Sequence, residues 1–129
     1  MDQQISILIV DDVGTVRSFL HQTLMHLGID HVREASTATQ CITACEEQHF
    51  DIVFLDIELP DGDGDGKELI AEINKINENI NVVMVSAHST VDNVKDAIER
   101  GAKGFVVKPF SPKKIAAMLK KFYPELELY

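Results

Sequence analysis

The chain is short of bases, of cysteines and of long apolar runs, and each shortage removes a class of function. Twelve Lys and Arg face 21 Asp and Glu, a formal net charge of −9 at pH 7. So few cations argue against nucleic acid or an anionic membrane surface as a direct partner. No stretch approaches the ~20 consecutive apolar residues of a membrane span. Residues 1–4 carry no Lys or Arg, and the apolar run Ile5–Val10 is too short for a signal peptide. A cytoplasmic location is therefore expected. The two cysteines, Cys41 and Cys45, fall on one face of one helical segment. No further Cys or His stands in register to complete a metal site, and a disulfide within a helical turn does not suit a reducing compartment. Both are expected to face the core as small apolar side chains. Repeats, linkers and low-complexity segments are also lacking.

What is present fits one domain. The 129 residues suffice for a core, and 45% are apolar. Strand and helix alternate five times. Short apolar runs at Ile5–Val10, Val32–Ala35, Ile52–Leu55, Val82–Val85 and Gly104–Val107 read as strands, continuous enough to be buried on both faces. Helical periodicity follows each one. The first helix is predicted from Gly14 to Leu27, with Val16, Phe19, Leu20, Leu24 and Leu27 inward and Gly28 as its stop. The second is capped by Ser36 or Thr37, with Cys41, Ile42 and Cys45 at helical spacing. The third starts near Lys67, with Leu69, Ile70, Ile73 and Ile76 as its apolar set. The fourth begins near Ser89 or Thr90, where Ser89 and Asp92 are spaced as a capping box, and ends at Gly101. The fifth opens on Ser111-Pro112 and carries Ile115, Met118, Leu119 and Phe122. This alternation predicts an α/β fold with right-handed crossovers and a doubly wound parallel sheet. The fifth helix uses up the sequence, so residues 1–129 are expected to form one domain.

Chemistry collects at the strand ends. Asp11-Asp12 follow the first strand, Asp56 the third, Ser86 the fourth and Lys108-Pro109 the fifth. Ligands of open parallel sheets bind at the carboxyl edge. Three carboxylates, a hydroxyl and an ammonium gathered there can hold a divalent cation and a phosphoryl group. Taken singly, an Asp pair at a strand end is often a cap, and Lys-Pro is usually a surface turn. The agreement of five positions carries the functional reading.

With these residues in this order and at these spacings, the chain resembles the receiver domain of two-component response regulators, and within it the CheY-like single-domain members. Gly104-Phe105-Val106-Val107-Lys108-Pro109-Phe110 is especially family-like. The resemblance covers nearly the whole chain. It implies a flavodoxin-like five-stranded sheet of order 2-1-3-4-5, an order that periodicity does not supply. It implies that Asp56 is the phosphoacceptor, with Mg²⁺ held by Asp11, Asp12, Asp56 and the backbone carbonyl of Glu58. Lys108 and Ser86 would meet the phosphoryl oxygens. A cis peptide is implied at Lys108-Pro109. Ser86 and Phe105 would form the switch that alters the helix 4–strand 5–helix 5 surface for a downstream protein. Glu58 and His88 would modulate the lifetime of the phosphoryl group. The phosphodonor would be a sensor histidine kinase or a histidine phosphotransfer protein.

The acidic stretch after the third strand departs from the family. Asp61-Gly62-Asp63-Gly64-Asp65-Gly66 holds three Asp-Gly pairs where one is common, which suggests a two-residue insertion. Asp61, Asp63, Asp65, Gly66 and Glu72 also match the calcium-loop pattern. An apolar strand and Pro60 precede them where such a loop needs a helix, so no working calcium site is expected. Three function classes stay open: a receiver that switches a protein-binding surface, a phosphorelay intermediate, and an Asp-nucleophile phosphatase. Asp11-Asp12-Val13-Gly14-Thr15 departs from the phosphatase pattern D-x-D-x-T because its second Asp comes one position early.

Overall fold

The computed structural model describes residues 5–58, 66–87 and 90–128. Five strands, β1 (Ser6–Val10), β2 (His31–Ala35), β3 (Ile52–Asp56), β4 (Asn81–Ser86) and β5 (Gly104–Val107), alternate with five helices. These are α1 (Gly14–His26), α2 (Ala38–Glu47), α3 (Gly66–Ile76), α4 (Val91–Glu99) and α5 (Pro112–Phe122). All strand pairs are parallel, and the order is β2-β1-β3-β4-β5. No helix is long and apolar enough to cross a membrane.

Side chains alternate across a strand, so each run feeds two cores. Leu8, Val10, Val53, Leu55, Val82 and Met84 join the core under α2 and α3, while Ile7, Ile9, Ile52, Phe54, Val83 and Val85 join the one under α1 and α5. Central strands buried on both sides need apolar residues at every position, which is why β1, β3 and β4 read as unbroken runs. Cys41 and Cys45 are both buried in the first of these cores.

Local chemistry sets the helix ends. Thr37 caps α2 by accepting from the Gln40 N–H, and Ser111 caps α5 from the Lys114 N–H with Pro112 next. Gly28 (φ 98°) and Gly101 (φ 114°) take the left-handed conformation just past α1 and α4. The following residues fold back: Ile29 N–H reaches Leu24 O at 2.9 Å and Ala102 N–H reaches Ala97 O at 2.9 Å. Each closes a Schellman motif with an apolar contact beneath it.

Of the two starts offered for α4 one is borne out, and the inward stripe of α1 changes. The α4 cap is Thr90, whose Oγ1 accepts from Asn93 N–H at 3.2 Å, while Ser89 lies outside the described residues. The inward stripe of α1 is Leu20, Thr23, Leu24 and Leu27, not one through Phe19, which is 48% exposed. Phe19 turns toward the β5–α5 connection and packs its ring on Phe110, centroids 5.6 Å apart. Thr23 tolerates burial because its hydroxyl donates to Phe19 O at 2.8 Å. Helix α4 is loosely seated, with Ala97 its one buried residue and Val91 and Ile98 exposed.

Candidate functional site

Parallel register brings the strand ends level. Val10 pairs with Leu55, Asp56 with Val85, and Ser86 with Val107, so Asp11, Asp56, Ser86 and Lys108 emerge along one edge. Asp11, Asp12 and Asp56 each offer a carboxylate oxygen, and these lie within 4.8 Å of one another. Asp11 and Asp56 are buried, at 3% and 4% exposure, whereas Asp12 is exposed. Ser86 is buried at 1%. The Lys108–Pro109 peptide is cis.

Every polar atom of Asp11 is engaged. Its N–H donates to Ala35 O at 3.1 Å. Oδ1 accepts from Val13 N–H at 2.9 Å and Oδ2 from the Lys108 ammonium at 2.9 Å. The carbonyl accepts from Arg17 Nη1 at 2.7 Å. Asp56 Oδ1 accepts from Glu58 N–H at 3.1 Å, and Oδ2 lies 3.6 Å from Lys108 Nζ. Lys108 N–H in turn donates to Ser86 O at 2.8 Å.

One ammonium thus serves two buried carboxylates, and it is nearer Asp11. The Asp56 carboxyl is pushed above its ordinary pKa, first by burial and then by the Asp11 and Asp12 anions, against the Glu58 N–H and Lys108. Burial presses the Lys108 ammonium to lose its proton, but the bond to Asp11 and the field of Asp56 outweigh it and hold its pKa above the ordinary lysine value. Three acids against one ammonium leave the edge negative. Hard oxygen donors at this spacing suit a small divalent cation such as Mg²⁺, so the residues present fit that group.

The remaining sequence-predicted residues fall as follows. Phe105 is half-buried on β5 against the α2–α3 core, and it lines a surface cleft of about 360 Å³ with Lys114, Met118 and Lys121. Glu58 is exposed beside Asp56. His88 and the aspartates at 61, 63 and 65 lie outside the described residues. Glu72 lies within α3, exposed to solvent. Sequence reading missed Arg17, and it missed an apolar cleft of about 440 Å³ beside Lys108, lined by Thr15, Val16, Phe19, Ala87, Pro109 and Phe110. Its residues come from three separated segments, and no local signal joins them.

Comparison with known proteins agrees with this geometry. The family model for the response regulator receiver domain matches residues 7–120. The chemotaxis protein CheY of Bacillus subtilis is 35% identical over 115 residues, covering 89% of this chain and 94% of that protein. CheY of Thermotoga maritima matches to the same extent. A CheY-like receiver domain protein from Methanospirillum hungatei superposes with a TM-score of 0.86 at 28% identity, over 95% of this chain and 96% of that one. A chain of the CheX–CheY–BeF3–Mg²⁺ complex from Borrelia burgdorferi superposes with a TM-score of 0.86 at 29% identity, over 92% and 89%.

Proposed function

The chain belongs to the response regulator receiver family and is a receiver of two-component signalling, and on that footing we propose that Asp56 accepts a phosphoryl group and thereby switches a protein-binding surface. One observation carries this reading: three carboxylates lie within 4.8 Å of one another at the carboxyl edge of the sheet, and two of them, Asp11 and Asp56, share Lys108.

Asp56 Oδ1 is held by the Glu58 N–H, which leaves Oδ2, the oxygen facing Lys108, as the nucleophile. It forms the O–P bond while the P–N bond of a donor phosphohistidine breaks. The electron pair of that bond returns to the imidazole nitrogen, which takes a proton from solvent. Asp11, Asp12, Asp56 and the Glu58 carbonyl would hold Mg²⁺, which would supply the positive charge that lets dianionic phosphoryl approach three acids. Lys108 then moves its ammonium from Asp11 Oδ2 to a phosphoryl oxygen, and the Ser86 hydroxyl donates to another. Ser86 pairs with Val107 and Phe105 with Met84, so Ser86 and Phe105 stand two positions apart on one face of adjacent strands, and drawing Ser86 inward biases the Phe105 ring toward the core. The Phe105 cleft and the exposed Val91 and Ile98 of α4 form the output surface for a downstream protein. Glu58, at the rim, and His88 are assigned to the lifetime of the phosphoryl group.

The test is labelling with acetyl phosphate, read by intact mass. One added phosphoryl group that requires Mg²⁺ and vanishes with a chelator supports the reading; no labelling, or labelling indifferent to Mg²⁺, rejects it.

The donor is assigned to the apolar cleft beside Lys108, which a sensor histidine kinase or histidine phosphotransfer protein would enter with its phosphohistidine toward Asp56. Phe19, exposed between that cleft and a second one running along α1 to Pro112, is the anchor. Phe19→Asp is expected to slow transfer from a phosphorylated histidine phosphotransfer protein by about tenfold or more, the effect of losing an aromatic hot spot. Labelling by acetyl phosphate should change far less. Equal loss with both donors would count against this assignment.

A further inference from the structure

We infer that Arg17 is a positioning residue for the acid pair Asp11-Asp12, setting cation affinity without touching a ligand oxygen. The inference rests on the metal reading above. Its observation is independent of that reading: Arg17 reaches from the first turns of α1 to the main-chain carbonyl of Asp11, Nη1 to O 2.7 Å. The distance is that of a short charge-assisted bond.

That carbonyl sits just past the last pairs β1 makes with its neighbours, Val10 with Ala35 and Val10 with Leu55. Beyond them the sheet opens and the chain turns into α1. The guanidinium takes the place that a ladder N–H would fill. It is itself clamped: Nε donates to Glu34 Oε1 on β2 at 3.1 Å, and Glu34 Oε2 is bonded to His21 Nδ1 at 2.7 Å. One planar fork therefore ties the end of β1, the edge strand β2 and helix α1.

The consequence is geometric more than energetic. Partly exposed ion pairs contribute little to stability. The Asp11 carbonyl, however, belongs to the same rigid peptide unit as the Asp12 N–H. Fixing that oxygen fixes the plane from which the Asp12 side chain departs. Asp11 is also held through Val13 and Lys108, but Asp12 is exposed, and that peptide unit sets where its Cα stands. Lys108 neutralises Asp11 Oδ2 and so competes with a cation. Arg17 contacts a carbonyl outside the acid trio's oxygens and arranges the acids while leaving those oxygens to the ion. Groups that orient metal ligands from behind typically alter affinity 10–100-fold.

The experiment is a Mg²⁺ titration by calorimetry on the full chain, with wild type, Arg17→Met, Arg17→Lys, Glu34→Gln and Asp11→Asn, beside backbone amide spectra of the metal-free proteins. Arg17→Met keeps the apolar stem and should weaken Mg²⁺ by about tenfold. Arg17→Lys keeps the charge but cannot span Glu34 and the Asp11 carbonyl together, so it should weaken Mg²⁺ as Arg17→Met does. The Asp12 amide nitrogen, whose shift reports the bond at the preceding carbonyl, should move in both Arg17 variants before any metal is added. Labelling by acetyl phosphate should need more Mg²⁺ to reach half-maximal rate yet approach the wild-type rate at saturation. Should Arg17→Met not fold, Arg17→Lys and Glu34→Gln read the same quantities. Wild-type Mg²⁺ affinity in the Arg17 variants, with Asp11→Asn impaired, overturns this inference alone. Wild-type affinity in Asp11→Asn as well overturns the metal reading and takes the inference with it.

Discussion

Asp56→Asn will abolish labelling by acetyl phosphate and, in the metal-free protein at neutral pH, will melt at a higher temperature than wild type. The first effect follows from removing the carboxylate proposed as the nucleophile. The second follows from its surroundings. Asp56 is buried, and its pKa is raised by that burial and by the Asp11 and Asp12 anions. Folding therefore favours the protonated form. Its contribution to stability is fully present below the ordinary carboxylate pKa and is lost as pH rises through the elevated value in the fold. At neutral pH the ionised group opposes folding, and a neutral amide of the same shape does not. Asn can still accept the Glu58 N–H through its carbonyl oxygen. Removing a buried like charge is worth about 1–2 kcal/mol here, a rise of several degrees in melting temperature. The gain should shrink as pH falls through that elevated value, where the wild-type carboxyl takes up its proton. Intact mass and thermal melts in chelator from acid to neutral pH measure both parts. A labelled variant, or one melting at or below wild type at neutral pH, would sink the assignment of Asp56 as the strained acceptor.

Much of this was legible in the sequence because burial on both faces leaves a plain signature. Ile52-Val53-Phe54-Leu55 cannot be half-exposed, so β3 and the position of Asp56 at its end follow at once. Gly28 and Gly101 marked helix ends because the left-handed turns there tolerate no side chain easily. Parallel order then places Asp11, Asp56, Ser86 and Lys108 on one edge without further information. The rotation of α1 was not legible. Val16, Phe19, Leu20 and Thr23 share a helical face, and a small rotation about the axis decides whether Phe19 or Thr23 is buried. That rotation is fixed by α1 meeting α5 and the β5–α5 connection, where Phe110 takes the Phe19 ring. Arg17 was missed for a related reason. A basic residue early in a helix reads as a solvated side chain, and only the separation of β1 from β2 at their ends opens the carbonyl it serves. Ser89 and Thr90 are both capping residue types, and the backbone places Thr90 at the start of α4.

Lys108 stands in both the buried ion pairs and the proposed signal, and two substitutions there should part the two. Lys108→Met leaves Asp11 and Asp56 buried, close and without their common cation. Removing one partner of a buried pair costs about 3–5 kcal/mol, and because the ammonium is a fifth exposed the loss here should be about 2–3 kcal/mol. The sign with pH follows from the Lys108 pKa, which the two carboxylates hold above the ordinary lysine value in spite of burial. Its stabilisation is fully present below that ordinary value and is lost only as pH rises through the elevated one. Wild type should therefore exceed Lys108→Met by a constant margin from neutral to mildly alkaline pH. The margin closes in acid as the carboxyls become neutral. Lys108→Arg keeps a cation and should retain most of that margin. It should also still be labelled at Asp56 in Mg²⁺, since the nucleophile and the three acids are intact. The signal should nevertheless fail. A planar guanidinium on a different stem cannot move from Asp11 Oδ2 to one phosphoryl oxygen as a compact ammonium does. β5 then receives no pull through Lys108, whose N–H is bonded to Ser86 O. Urea titrations measure the stability arm. Phosphorylation-induced shifts of the Phe105 ring and the β5 amides measure the other. Wild-type shift changes at Phe105 in phosphorylated Lys108→Arg would show that the ammonium does not carry the signal to this surface.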